Sequence, residues 1–375
     1  MFTQRWGSDA LKYDAITDRY GECEHAILPM WVADMDVPPP VNVSQAVTEF
    51  FDAHYGYQIH NMGPAIVNWH QRRHQRVYEK EIVSCHSVIG AVKVLIESLT
   101  QKGDGIALFS PVYGPLVDVV RACEREPVLI PLNLARDIQS LNPDGALDHV
   151  AMIIVCNPQN PTGQLWPAAI INALANMCDR LQIPLVCDEV HSAFVYPQEQ
   201  FYSALQLPVA LRHTAIVVQS ATKAYNLAHI PAASYMVIPN TQWHHLIGHT
   251  VAQCHLYAAP VSEISLVAAY SPTNDRWLED VNRCIHDNRK LMEQGLSHTS
   301  LMPYINNATF FCWLDLHLVY PQERDVAKRL FSDTGIAGND GASFGCPGWV
   351  RLNIATQQQT VDGALQRLQR LWKRL

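Results

Sequence analysis

Short, continuous apolar runs recur along the chain, each followed by a stretch with helical spacing, and this alternation restricts the fold more than any other feature. Gly105-Ile106-Ala107-Leu108-Phe109, Ala151-Met152-Ile153-Ile154-Val155, Pro184-Leu185-Val186-Cys187 and Ala215-Ile216-Val217-Val218 carry hardly any polar side chain. A strand with one face in water alternates polar and apolar residues, whereas a strand apolar throughout is covered on both faces. Strands of this kind separated by helices predict an α/β fold with a mainly parallel, helix-covered sheet, in which functional residues gather in loops at the carboxyl ends of the strands. Helical spacing is read over about 41–51, 64–78, 167–181 and 277–296. Beyond it, Phe310-Phe311-Cys312-Trp313-Leu314, a further helix and Trp349-Val350-Arg351-Leu352-Asn353 suggest a smaller α+β unit. The expected division is a large domain over 46–290 and a small one over 1–45 with 291–375.

The chain of 375 residues is 48% apolar, enough for a large core and a second unit. Its net charge is −8 and no stretch gathers Lys and Arg into a basic face, which argues against nucleic acid as a partner. No basic segment leads into an apolar run after Met1-Phe2-Thr3-Gln4-Arg5-Trp6, and no run is long enough to cross a bilayer. A cytoplasmic protein with no membrane partner is therefore expected. The ten cysteines stand singly between Cys23 and Cys346, without paired spacing, and read as reduced, mostly buried thiols. Among seventeen histidines, His70 with His74 and the group His244, His245 and His249 raise the question of a metal. No carboxylate or cysteine accompanies the first pair at metalloenzyme spacing, so a solvated helix face is expected and no metal.

Chemistry concentrates in three segments, each placed just after an apolar run. In Ser220-Ala221-Thr222-Lys223-Ala224-Tyr225-Asn226-Leu227-Ala228, a lysine beyond a strand end stands one and three residues after hydroxyls. Such an amine can form an imine with an aldehyde cofactor while the hydroxyls bind its phosphate, although an exposed lysine after a Ser/Thr turn has the same pattern. In Asp188-Glu189-Val190-His191, a carboxylate at the end of a buried strand needs a cationic partner to stay ionised, and a protonated pyridine nitrogen is one. A helix-capping aspartate is the plainer alternative. In Asn157-Pro158-Gln159-Asn160-Pro161-Thr162-Gly163, prolines and glycine hold a loop from which the Asn160 amide can address a single point.

The order and setting of these segments resemble the aminotransferase class I/II superfamily, the fold-type I pyridoxal-phosphate enzymes, over nearly the whole chain. The resemblance implies the transferase-like fold of that superfamily, with pyridoxal 5'-phosphate as cofactor. It makes Lys223 the imine-forming catalytic lysine, Asp188 the partner of the pyridine nitrogen, Asn160 that of the ring oxygen, and Ser220 and Thr222 part of the phosphate cup. Tyr113, in Ser110-Pro111-Val112-Tyr113, takes the place of the ring-stacking aromatic residue. Gly90-Ala91-Val92 take that of the turn whose amides hold phosphate at a helix start. Arg351 corresponds to the arginine that clamps the substrate α-carboxylate.

Within the superfamily, Leu28-Pro29-Met30-Trp31-Val32-Ala33-Asp34-Met35-Asp36 resembles the amino-terminal signature of the cystathionine β-lyase (C–S lyase) branch, sometimes called the MalY/PatB type. That likeness implies that Ala33 and Asp34 line the substrate pocket beside Asn160 and Arg351. Tyr57, in Tyr55-Gly56-Tyr57, matches a tyrosine that reaches the phosphate of the neighbouring subunit, which implies a homodimer with shared sites. Eight residues after the lysine, Pro231 replaces a phosphate-binding arginine common in aminotransferases, an absence shared with the lyase branch. His191 stands where aminotransferases often have a cofactor-binding tyrosine, and His229-Ile230-Pro231 departs from the usual continuation. The implied activity is cleavage of cystathionine or another cysteine S-conjugate to a thiol, pyruvate and ammonia. A transaminase with the same site is the near alternative. A regulatory protein that binds a transcription activator is the distant one.

Overall fold

Period-two geometry sorts the residues of each apolar run onto opposite sides of one sheet. The computed structural model describes residues 2–53, 56–57, 61–132, 145–230, 233–301, 303 and 306–374. Tyr55 and Pro231, both singled out above, lie outside the described residues. In chain order the strands are β1 (Leu28–Pro29), β2 (Ile82–Cys85), β3 (Gly105–Ser110), β4 (Glu126–Pro131), β5 (Met152–Cys156) and β6 (Leu185–Asp188). They continue with β7 (Ala215–Ser220), β8 (Ser234–Val237), β9 (Phe311–Asp315), β10 (Ile336–Ala337), β11 (Asn339–Asp340) and β12 (Trp349–Asn353). The main sheet has the order β2-β8-β7-β6-β5-β3-β4. Pairs among β3 to β7 are parallel, and β8 runs antiparallel to both its neighbours.

Ala107, Ile153, Leu185 and Val217 enter one core and Leu108, Ile154, Val186 and Val218 the other. Neither face reaches water, which is why the runs read as continuous rather than alternating. β2, β4 and β8 have no counterpart among the expected strands. β4 carries Pro127 and Pro131, which a central strand would not tolerate, and it lies at the sheet's edge. The buried strands finish on polar residues: β5 ends at Cys156 opposite Asp188 of β6, and Ser220 ends β7. From β3 the chain turns to β4 on one side and comes back to β5 on the other. This reversal opens a crevice at the carboxyl edge.

The helix expected over 64–78 spans only Gly63–Gln71, and His74 sits at φ 57° beyond its end. His70 does not belong to a solvated face, which corrects the expectation. Its helix turns Ile66 and Trp69 into the core, and His70 is fully buried with them. Its ring nitrogens pair with Gln75 Oε1 (2.6 Å) and Tyr235 Oη (2.9 Å), and burial lowers its pKa to about 4. All ten cysteines are free and six are buried. Among the described residues no helix is long and apolar enough to cross a membrane.

A second, antiparallel sheet, β11-β12-β9, forms beyond the main one. The amino-terminal segment joins this part of the chain, since β1 pairs in parallel with β10 and Met30 N donates to Ala337 O (2.9 Å). The helices Val41–Ala53 and Asp275–Leu296 run across the limits at 45 and 290 read from the sequence.

From β1 the chain continues as a strap, Trp31 to Asp36, that returns over the carboxyl edge of the main sheet. A buried ion pair secures its far end: Lys12 Nζ meets Asp36 Oδ2 at 3.0 Å, and neither side chain reaches solvent. Arg5 bridges Asp34 and Asp36 from outside (2.9 and 3.0 Å). Removing one member of a buried pair leaves the other as an uncompensated charge, at a cost of about 3–5 kcal/mol. Asp36→Ala is therefore expected to lower unfolding free energy in urea by about that amount. A loss of less than about 1 kcal/mol, typical of exposed pairs, would contradict the assignment.

Candidate active site

Two asparagines hold the strap, one from the segment after β7 and one from β12. Asn353, the last residue of β12, donates through Nδ2 to the carbonyls of Val32 (2.6 Å) and Asp34. Asn226, three residues after Lys223, accepts from Met35 N (2.9 Å) and donates to the carbonyls of Met35 (2.7 Å) and Val37 (2.8 Å). Its φ of 57° lies in the left-handed region, which asparagine tolerates better than most residues. The Ala33 carbonyl, between these anchors, accepts a hydrogen bond from Lys223 Nζ at 2.8 Å.

Lys223 lies in the short helix Ala221–Ala224 that follows β7 and opens into a cleft of about 420 Å³. The same cleft is bordered by Tyr113 beyond β3, Asn160 beyond β5, Asp188 at the end of β6, and His191. Trp31, Val32 and Ala33 of the strap and Arg351 of β12 close it from the other side. Gly163 closes the loop that carries Asn160, with φ 72° and a position where a Cβ would lie 2.6 Å from the Ala308 carbonyl. Glycine is required there.

The charged groups of the cleft are poorly compensated. Burial is the main cause that lowers the Lys223 amine to about 8, with help from the Arg351 cation. Burial raises Asp188 to about 6, opposed by the Val190 N–H that its Oδ1 accepts (3.1 Å) and by Lys223. Arg351 is lowered to about 10 by burial. Its guanidinium donates to Asn160 Oδ1 (2.8 Å) and Trp31 O (3.3 Å) and lies over the Phe311 ring at 4.2 Å, while Nε has no partner. Arginine can only donate, so the Asn160 amide turns its oxygen to Arg351 and keeps Nδ2 free to donate elsewhere. His191 is buried among Phe310 and Phe311 with Nδ1 unpaired, and burial with the nearby cations lowers its pKa well below the ordinary value.

At the other end of the cleft, Ser220 Oγ and Thr222 Oγ1 lie 2.8 Å apart. Facing them is the start of the helix Val88–Leu99, capped by Ser87, whose Oγ accepts from Gly90 N (3.0 Å). The wall here is Ser87, Val88 and Ile89, not the expected Gly90, Ala91 and Val92. The latter start two residues too late: Gly90 N is taken by the cap and Ala91 N by the Ser87 carbonyl (2.8 Å), while Ala91 and Val92 are buried in the core. The first amides of a helix are the ones free for an anion. Ser87 before an apolar helical run was the available sequence signal.

Asp34 lies close enough to Lys223 to favour its charged form but does not border the cleft. Tyr57 is fully exposed and is not brought to the cleft within one chain. His229 is exposed and stands outside the lining. Cys156, Arg19 and Asn339 border the cleft without having been anticipated, and Asn226 and Asn353 had no assigned role. The cleft thus combines a weakly basic amine, a carboxyl group that lacks a cation, a guanidinium that lacks an anion, and hydroxyls beside a helix start.

Known proteins resemble the chain over nearly its whole length. Cystathionine beta-lyase PatB of Bacillus subtilis (strain 168) is 24% identical over 380 residues, covering 97% of each chain. Among solved structures, a putative aminotransferase from Clostridium difficile 630 has a TM-score of 0.90 at 24% identity, covering 99% of this chain and 98% of that one. Cystalysin from Treponema denticola also has a TM-score of 0.90, at 19% identity, covering 100% of this chain and 98% of the other. Residues 44–368, from the helix Val41–Ala53 into the helix Gln358–Trp372, match the family model described as aminotransferase class I and II, and the chain belongs to that family.

Proposed function

We propose that the chain is a pyridoxal 5'-phosphate-dependent carbon–sulfur β-lyase that cleaves cystathionine or related cysteine S-conjugates to a thiol, pyruvate and ammonia. The observation that carries this reading is the meeting of the Lys223 amine, the Asp188 carboxyl group and the Arg351 guanidinium in one cleft beneath the strap. The strap is the segment that resembles the lyase branch. The relative from Bacillus subtilis, named a cystathionine beta-lyase, matches 97% of the chain.

The residues present fit the cofactor. Asp188 has no cationic partner within 4 Å among the described residues, and the unpaired His191 Nδ1 needs a polar neighbour. When bound, the cofactor supplies an aldehyde that links amino groups and a pyridine ring that draws off the electron pair left at Cα. Ser87, Ser220 and Thr222, with the first amides of the helix Val88–Leu99, would hold the phosphate. Tyr113 would pack on the ring, Asp188 would keep a proton on the ring nitrogen, and Asn160 Nδ2 and His191 would address the ring oxygen. Arg351 receives the substrate α-carboxylate and fixes the orientation of the Cα–H bond. Lys223, released from the Ala33 carbonyl, takes the Cα proton, and the sulfur leaves from Cβ with its bonding electrons.

The same reading divides the chain into a large domain over 46–290 and a small one over 1–45 with 291–375. It places the enzyme in the cytoplasm as a homodimer in which Tyr57 reaches the partner's phosphate site. Exposed Val41, Phe51, Tyr57 and Val267 favour the dimer, because the helices Val41–Ala53 and Pro260–Ala269 that carry three of them pack together. Light scattering is expected to give twice the chain mass.

Only a neutral amine attacks an aldehyde, so uptake of pyridoxal 5'-phosphate by the apoprotein is expected to accelerate as pH rises through about 8 and then level off. An ordinary lysine would give a midpoint near 10.4. The growth of a visible band follows the uptake, and borohydride followed by peptide mass mapping locates the label at Lys223. A midpoint near 10, or an equal band in Lys223→Ala, would overturn the assignment.

Cystathionine, supplied without any keto acid, is expected to give pyruvate, and Lys223→Ala to reduce turnover by about 10³-fold or more. Turnover that depends wholly on added keto acid would identify a transaminase instead.

A further inference from the structure

A second guanidinium borders the cleft, at its rim. Arg19, in the helix Ile16–Tyr20, is exposed to solvent, yet its head group is held in place on three sides. It lies over the Trp31 ring at 4.7 Å and the Tyr20 ring at 5.7 Å, and it donates to Asn339 Oδ1 at 3.3 Å. These contacts are with neutral groups, and among the described residues no carboxylate pairs with it. The neighbouring Asp340 is engaged elsewhere, its oxygens accepting from Ala342 N (2.7 Å) and Ala327 N (3.0 Å).

The two arginines share one wall. Asn339 of β11 stands directly opposite Arg351 in the antiparallel β11-β12 ladder, which places their side chains on one face. Trp31 joins them a second time, with its carbonyl on the Arg351 guanidinium and its ring beneath that of Arg19. A ligand whose α-carboxylate meets Arg351 therefore has a fixed cation ahead of it, toward the mouth of the cleft. An arginine held by rings and an amide keeps its fork oriented and loses little freedom when a carboxylate arrives.

We infer that Arg19 is an anion receptor at the rim of the cleft, selecting amino acids whose sulfur-linked substituent ends in a carboxylate. The inference rests on the lyase reading for the sulfur linkage and on the geometry of the wall for the second anion. A neutral substituent of the same shape enters the same cleft and gains no charge-assisted bond.

S-(2-carboxyethyl)-L-cysteine and S-(2-carbamoylethyl)-L-cysteine have the same shape and differ in charge at the far end. Pyruvate release by the holoenzyme is expected to favour the carboxylate, and Arg19→Gln to lower the ratio of the two kcat/KM values by about tenfold or more. Arg19→Lys, which keeps the cation, restores part of the ratio. If the two values fall together in Arg19→Gln and the ratio stays within about twofold, the residue acts only by packing on Trp31 and the inference is overturned. If neither compound yields pyruvate, the lyase reading fails by itself. Titration calorimetry of both compounds against the holoenzyme and Arg19→Gln then decides the rim site: a ratio of Kd values that changes with Arg19 supports it, and an unchanged ratio refutes it.

Discussion

The strap from Trp31 to Asp36 is the constraint on which the site depends, because it is bound to residues beside both sheets and to the Lys223 amine. Asn226 holds it from the loop after β7 and Asn353 from the end of β12, through hydrogen bonds to its backbone groups. With the strap fixed, the Ala33 carbonyl lies where Lys223 Nζ can reach it, and Trp31 lies where it can take Arg351 on one side and Arg19 on the other. The Lys12–Asp36 pair at its far end serves the same purpose from inside the core.

That geometry has an electrostatic consequence. Charged groups are seldom buried unless paired, and the cleft brings together an amine and a guanidinium with too few counter-charges nearby. The strain appears as opposite displacements: Lys223 is lowered to about 8 and Asp188 raised to about 6. Groups whose pKa values are driven toward neutrality by burial can exchange protons at physiological pH, and they cluster at functional sites for that reason. Tightly packed surroundings, with Phe311 beneath Arg351 and Phe310 and Phe311 beside His191, maintain the arrangement.

The sheet was legible in the sequence because strands covered on both faces leave an unmistakable mark, and Lys223, Asp188 and Asn160 were legible because each follows such a strand directly. β2, β4 and β8 were not, since edge strands and a reversed strand carry weaker patterns. The helix that borders the cleft starts at Val88, two residues before the Gly90 turn, and Ser87 caps it. His70 was misplaced because its spacing from His74 holds only on a continuous helix, and this one ends at Gln71. Asn226 and Asn353 left no signal at all. An asparagine that bonds to backbone groups nearly two hundred or more residues away has no local pattern to announce it.

The division of labour between the two sheets explains why the cleft has a direction. Asp188 ends a strand of the main sheet and Lys223 and Asn160 follow two others, so on the proposed reading the chemistry is fixed at that floor. Arg351 and Asn339 belong to the β11-β12 ladder, and the amino-terminal helix with Arg19 packs beside it. On the proposed reading, recognition is thus built on a different sheet from reaction, and the two meet across the strap. Changes along the β11 wall can alter which side chain is admitted without moving the amine, the carboxyl group or the helix start below, and a common fold can by that route serve different amino acids.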